Sequence, residues 1–167
     1  MSSLGTKQIA ASGVMAALVC VATLFIVVPI PATQGYFNVG DAMVMVAALT
    51  FGPLVGAFAG GVGAGLADVL GGYSYFAPYT FIIKGIEGLL AGWILTSGKK
   101  TVFLIVAWVI GGLEMVVGYF VAEYFFLGYG AAAYAEVPFN FVQMAVAGLV
   151  GIPVSLALRR MAKIGAI

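Results

Sequence analysis

The stretch TFIIKGIEGLLAG, Thr80 to Gly92, decides the fold, because it is apolar enough to cross a membrane yet carries Lys84 and Glu87 three residues apart. A charge near the centre of a membrane helix costs about 2.5 to 3.5 kcal/mol on insertion scales, so such groups face the interior of a bundle and pair, or line a wet cavity. At i and i+3 the two side chains share a face of the helix.

The rest of the chain agrees with a membrane setting. Of its 167 residues 63% are hydrophobic and 8% charged, against about 25% charged in globular domains. A formal net charge of +1 points to neither nucleic acid nor an acidic partner. The 24 glycines fit closely approaching helices. With no histidine, His-ligated metals, haem on a proximal His and every Ser/His or Cys/His nucleophile pair are excluded, and the single cysteine, Cys20, forms no internal disulfide.

A helix needs about 20 apolar residues to span the hydrocarbon. Prolines and polar clusters divide the chain into six candidates: Ile9 to Val28, the short Gly40 to Phe51, Pro53 to Gly71, Tyr79 to Ser97, Thr101 to Leu127 and Pro138 to Leu158. Five of the six prolines stand at helix boundaries, where they cost little, and Pro153 is expected to kink the last helix. The first apolar run, about 20 residues, is longer than the 7 to 15 of a signal-peptide core, so it reads as a crossing.

Lys7, the pair Lys99 and Lys100, and the group Arg159, Arg160 and Lys163 all fall on one side of a six-crossing chain. By the positive-inside rule that side is cytoplasmic, and both termini lie there. The loops Pro29 to Val39, Gly72 to Pro78 and Gly128 to Val137 contain no lysine or arginine. This map requires Gly40 to Phe51 to cross despite its length, by tilt or local thinning. The expected fold is therefore an all-α membrane protein of six transmembrane helices, forming a single domain over residues 1–167.

Depth along each helix then places the polar groups. Asp41 opens the second helix at the outer face, Asp68 lies about 5 Å below the outer end of the third, and Lys84 and Glu87 lie about 8 and 12 Å deep in the fourth. Glu114 falls near mid-bilayer, Glu123 near the outer interface and Glu136 in the last outer loop. Asn140 and Gln143, i and i+3 in PFNFVQ, lie about 3 and 8 Å below the outer end of the sixth helix. One structural reading pairs Lys84 with Asp68 or Glu87 to lock helix three to helix four. Yet one lysine cannot neutralise Asp68, Glu87 and Glu114 together, which implies a cavity where water or ligand supplies the remainder. Gln34, Tyr36, Phe37 and Asn38 in the first outer loop, Tyr73, Tyr75 and Phe76 in the second, and Tyr129 and Tyr134 in the third add flat faces and hydrogen-bonding groups. The expected substrate-binding set is Gln34, Tyr36, Asn38, Asp68, Tyr75, Lys84, Glu87, Glu114, Asn140 and Gln143, with no metal and no cofactor.

Two small-residue patterns complete the sequence. GPLVGAFAGGVGAGLADVLGG carries Gly52, Gly56 and Gly60 at spacing four, and Gly61 and Gly65 likewise, for close helix packing. AASGVMAALVC places Ser12, Ala16 and Cys20 in one stripe and Gly13 and Ala17 beside it, a surface for packing inside the bundle or against another membrane protein.

The run from Tyr36 to Gly92, YFNVGDAMVMVAALTFGPLVGAFAGGVGAGLADVLGGYSYFAPYTFIIKGIEGLLAG, together with the six-helix plan, resembles the substrate-binding S components of energy-coupling factor (ECF) transporters. The nearest group is the riboflavin-type one, which also contains proposed hydroxymethylpyrimidine carriers. The resemblance implies capture of a vitamin or precursor outside a prokaryotic plasma membrane, followed by association with a T component and two cytoplasmic ATPases and toppling to release the cargo inward. It also implies that residues Pro31 to Asn38 form a lid, and that Ser12 with Ala16, or Gly13 with Ala17, contacts the T component. No G-x-x-x-x-G-K-[ST] loop is present, so ATP is used by partners. Two other readings remain open from the residues alone: a stand-alone proton-coupled transporter working through its buried carboxylates, and an intramembrane enzyme with Lys84 as base.

Overall fold

The computed structural model describes residues 5–98 and 101–162; Lys99, Lys100 and Lys163, on which part of the orientation rests, lie outside the described residues. Its helices are α1 (Thr6–Phe25), α2 (Asp41–Phe51), α3 (Pro53–Gly71), α4 (Ala77–Thr96), α5 (Thr101–Val121) and α6 (Val137–Ala162). α5 continues into a π turn at Ala122–Phe126, and a 3₁₀ segment, Gly130–Ala135, leads into α6. Five of these helical segments are long and apolar enough to cross a membrane; α2 is shorter.

The all-α expectation holds, with one addition that it did not foresee. Between α1 and α2 the chain forms an antiparallel hairpin, β1 (Val27–Ile30) and β2 (Gly35–Asn38), with Val27 opposite Asn38 and Ile30 opposite Gly35. α1 ends at Phe25, before the expected boundary at Val28, because the β-branched run Ile26, Val27, Val28 enters the strand. The tip, Pro31 to Gln34, turns through Gln34 at φ 57°.

The hairpin explains how so short an α2 fits. Asn38 at the end of β2 sits beside Gln143, two turns into α6, and Asp41 at the start of α2 contacts Lys84, two turns into α4. Thus β2 runs down into the bundle and α2 begins deep, not at the outer face as the sequence alone implied. Four strand residues supply about 13 Å and eleven helical residues about 16 Å, together roughly the hydrocarbon thickness. Nine of the eleven α2 residues are buried, so this helix, apolar nearly all round, meets protein on every side. Non-helical backbone is tolerated at this depth only where protein covers it.

Glycines set the packing of α3 on α4. A Cβ on Gly88 would overlap the Gly56 backbone, and one on Gly60 would meet the Lys84 carbonyl oxygen. The close approach brings the turn bearing Lys84 against α3. At the opposite end of the bundle Arg159 of α6 lies beside Gly52, between α2 and α3, and Thr96 of α4. Ile9 of α1 and Leu54 of α3 line a common groove there. α6 runs continuously through Pro153 to Ala162.

A polar cavity beneath the hairpin

Lys84 is fully buried and spent on protein partners. Its Nζ donates to Asp41 Oδ1 and, at 3.1 Å, to Glu87 Oε2. The second Asp41 oxygen accepts from Gln143 Nε2 at 2.8 Å, and Gln143 Oε1 accepts the Asn38 amide at 3.0 Å. The Tyr119 ring lies 5.3 Å from Nζ, and its hydroxyl donates to Thr80 Oγ1 at 3.1 Å. One chain of bonds therefore ties the hairpin to α6, α2 and α4. A lysine taken out of water is tolerable only with such partners. The Glu87 pairing matches the structural reading; the Asp68 pairing does not form, because Asp68 accepts instead from the Tyr36 hydroxyl at 2.5 Å. Asp41 is the partner that sequence depth placed elsewhere.

A second group of polar atoms surrounds unfilled space of about 410 Å³, counting its mouth, which side chains cross so that little is one continuous hollow. Asp68 Oδ2, Asn140 Nδ2 and Thr23 Oγ1 are buried in this wall without a hydrogen-bond partner among the described residues. Glu136, Asn140 and Gln143, at i, i+4 and i+7, form one stripe of α6 and the turn before it. Glu136 is buried and accepts from Thr33 Oγ1 at the hairpin tip, while Gly35 packs so tightly on its carboxyl that no Cβ would fit. The π turn, closed by Leu127 N–H to Ala122 C=O at 2.8 Å, carries Glu123, fully buried, to the Glu136 carboxyl. π turns of this kind recur at functional sites.

The hairpin is fastened over the cavity at several points. Beyond Thr33 to Glu136 and Tyr36 to Asp68, the Tyr75 hydroxyl donates to the Gln34 carbonyl at 2.6 Å. Tyr36 and Tyr73 pack with ring centroids 4.3 Å apart, and Phe76, buried in the cavity wall, stacks with Tyr129 at 6.3 Å. Partial desolvation, with Tyr129 beside it, pushes the Tyr75 phenol up to about 12.

Of the residues singled out from sequence, Tyr36, Asn38, Asp68, Lys84, Asn140 and Gln143 line the cavity. Gln34 and Tyr75 stand above it at the rim. Glu87 lies behind Lys84, and Glu114 is half-buried on α5; neither is in the wall, and each keeps one buried oxygen without a partner among the described residues. Tyr134 is exposed and packs on Phe120 and Tyr124. Sequence reasoning missed Thr23, Thr80, Tyr119 and Glu136. The α6 spacing of Glu136 with Asn140 was the available signal, hidden by assigning Glu136 to a loop. On α1, Ala16 is buried where a Cβ on Gly63 would meet its carbonyl oxygen, whereas Gly13 and Ala17 are exposed and Ser12 is half-buried.

A helical membrane bundle with a polar, hairpin-covered cavity near one end is the architecture of a solute-binding membrane subunit. The chain belongs to the family of ECF-type riboflavin transporter S components, which it matches over residues 3–160. It is 32% identical over 147 residues to the thiamine precursor transporter HmpT of Lactococcus lactis subsp. cremoris (strain MG1363), covering 87% of this chain and 84% of that one. It is 46% identical over 132 residues to an uncharacterized protein in the gap 3′ region of Pyrococcus woesei, covering 79% and 87% respectively. Among solved structures it resembles the S component of a bacterial ECF transporter, with TM-score 0.73 and 26% identity over 94% of this chain and 96% of that one. The S component for biotin from an ECF-type ABC transporter shares the fold, with TM-score 0.68 and 20% identity over 98% and 97%. These are transporter components, not enzymes.

Proposed function

We propose that this chain captures a small planar heterocycle, a vitamin or vitamin precursor, from outside a prokaryotic plasma membrane and hands it to a T component driven by two ATPases. The observation that carries this reading is the set of unpaired buried atoms around the cavity. Asp68 Oδ2 calls for a donor, Asn140 Nδ2 calls for an acceptor, and Thr23 Oγ1 can serve as either. A buried polar atom left without a partner is costly, so the vacancies favour a polar guest. Acceptors outnumber donors once Glu136 is counted, and Lys84 in the wall is already paired. That balance suits a ring bearing an amino group and favours a hydroxymethylpyrimidine, as the likeness to the thiamine precursor transporter does. Riboflavin is the second reading, favoured by the family match.

The hairpin acts as the lid in this scheme, and the exposed pair Gly13 and Ala17 supplies the surface for the T component. Isothermal titration of the purified protein in detergent, with no partner and no ion gradient, tests the assignment. Tight one-to-one binding of hydroxymethylpyrimidine, with weaker riboflavin binding, is expected. Binding of neither compound, or uptake by the chain alone in liposomes that collapses with the proton gradient, overturns it in favour of stand-alone proton-coupled transport. Ala17→Trp is expected to leave binding intact and to abolish transport with the complete complex; normal transport by that variant would reject the helix-one surface.

A further inference from the structure

The charges of this chain are segregated, and among the described residues the cations away from Lys84 stand apart from every carboxylate. All six acidic residues, Asp41, Asp68, Glu87, Glu114, Glu123 and Glu136, belong to the cavity half or the middle of the bundle. At the opposite end Arg159, half-buried on the last turn of α6, lines a narrow recess whose unfilled space, counting its open mouth, is about 250 Å³. Leu49, Thr50, Gly52, Leu95 and Thr96 form the rest of its wall with Gly92. No acidic side chain is among them, and Arg159 makes no ion pair or hydrogen bond with a described residue.

Thr50 supplies an independent sign of a missing partner. It is 4% exposed, lines the same cavity, and its Oγ1 has no hydrogen-bond partner among the described residues. α2 ends one residue later at Phe51, and α3 begins at Gly52–Pro53 without a side-chain cap on its first amides, which adds a positive helix end nearby. Trp93, one turn from Thr96 and 63% exposed, marks the level at which aromatic residues meet lipid headgroups.

We propose that Arg159 and Thr50 hold a phosphate group at this end of the bundle, that of an anionic lipid in the adjoining leaflet. Arginine matches phosphate with a planar fork of donors, and a hydroxyl beside it completes a third contact. Basic recesses between membrane helices at this level are places where lipid headgroups settle. The recess is too narrow for a helix of another protein, so a headgroup phosphate would sit at its mouth against Arg159, with the buried Leu49 and Leu95 closing its floor. The site is separate from the vitamin cavity and independent of what that cavity binds.

Native mass spectrometry of the whole chain, released from nanodiscs of equal phosphatidylglycerol and phosphatidylcholine, tests this. The wild type is expected to retain one phosphatidylglycerol in preference to phosphatidylcholine. Arg159→Gln should bind it about tenfold more weakly, Thr50→Val several-fold more weakly, and Arg159→Lys should fall between, since the charge stays and the fork is lost. An arm with inorganic phosphate distinguishes the source: displacement of the lipid by millimolar phosphate shows that the ion suffices, and failure to displace shows that the acyl chains contribute. Melting curves in phosphatidylcholine alone guard against simple misfolding. Should Arg159→Gln lose the same stability with and without phosphatidylglycerol while all three variants keep the lipid preference, Arg159 only caps the end of α4 and the proposal fails. It fails equally if no lipid preference exists and Arg159 matters only when a partner protein is added.

Discussion

Two groups of buried polar side chains meet in this bundle, and they differ in how completely they satisfy one another. In the first, Asp41, Lys84, Glu87 and Gln143 spend nearly all their hydrogen-bonding capacity internally, with a single Glu87 oxygen left over behind the cavity wall. In the second, Asp68, Asn140 and Thr23 each present an unpaired atom in the cavity wall. Both lie at similar depth and both look equally anomalous in an apolar sequence. The difference separates scaffold from site: a saturated network fixes where four elements stand, and an unsaturated one leaves bonds for a guest to complete.

The largest expected effect tests the saturated group. Lys84→Met leaves Asp41 and Glu87 buried and uncompensated, which costs about 3 to 5 kcal/mol. Unfolding in detergent should show a fall of that size, and binding would be lost only because the hairpin and α2 are no longer held. A Lys84→Met protein with unchanged unfolding but no affinity would move lysine into the guest's contacts and erase the distinction. The next effect tests the unsaturated group. Asp68→Asn or Asn140→Ala should weaken hydroxymethylpyrimidine about tenfold or more, as loss of a hydrogen bond to a charged or fully desolvated group does, while unfolding shifts little. Equal losses of stability and affinity at Asp68 would show that its bond to Tyr36, not its free oxygen, is the important one.

The membrane class, the bundle and most of its helix boundaries were legible because apolar length, proline and glycine act locally; α3 begins at Pro53 and ends at Gly71 as composition implied. Lys84 and Glu87 were legible as an internal pair for the same reason, being one turn apart on one helix. Asp41 was not. Its depth depends on a strand that descends beside α6, and that descent is held by Asn38 to Gln143, a bond between residues 105 positions apart in the sequence. The alternation of Val27, Val28 and Ile30 with prolines is too short to stand out within a hydrophobic chain. Glu136 was obscured similarly: its place in the wall follows from a 3₁₀ segment and a π turn that re-aim α5 and α6, and neither leaves a periodic trace.

The smallest expected effect concerns the fastening of the lid, which belongs to neither group. The Tyr75 hydroxyl holds the Gln34 carbonyl at the exposed hairpin tip, where water can replace it, so Tyr75→Phe should raise the guest's dissociation rate only about two- to tenfold, the worth of one neutral hydrogen bond. The pH dependence has a definite sign. In the closed form desolvation, and then Tyr129, hold the phenol near 12, and release of the tip, by exposing the hydroxyl to water, lowers it toward its ordinary value of 10.0. The closed form therefore binds the proton more tightly, its advantage is complete below pH 10, and it drains away as pH rises from there to about 12. Stopped-flow dissociation should be flat from pH 5 to 9 and accelerate above 10 in the wild type, with Tyr75→Phe lacking the alkaline rise. Identical rates for the two proteins would leave Thr33 and Glu136 as the fastening that matters, and would tie the lid to the carboxylates of the cavity wall and not to its aromatic rim.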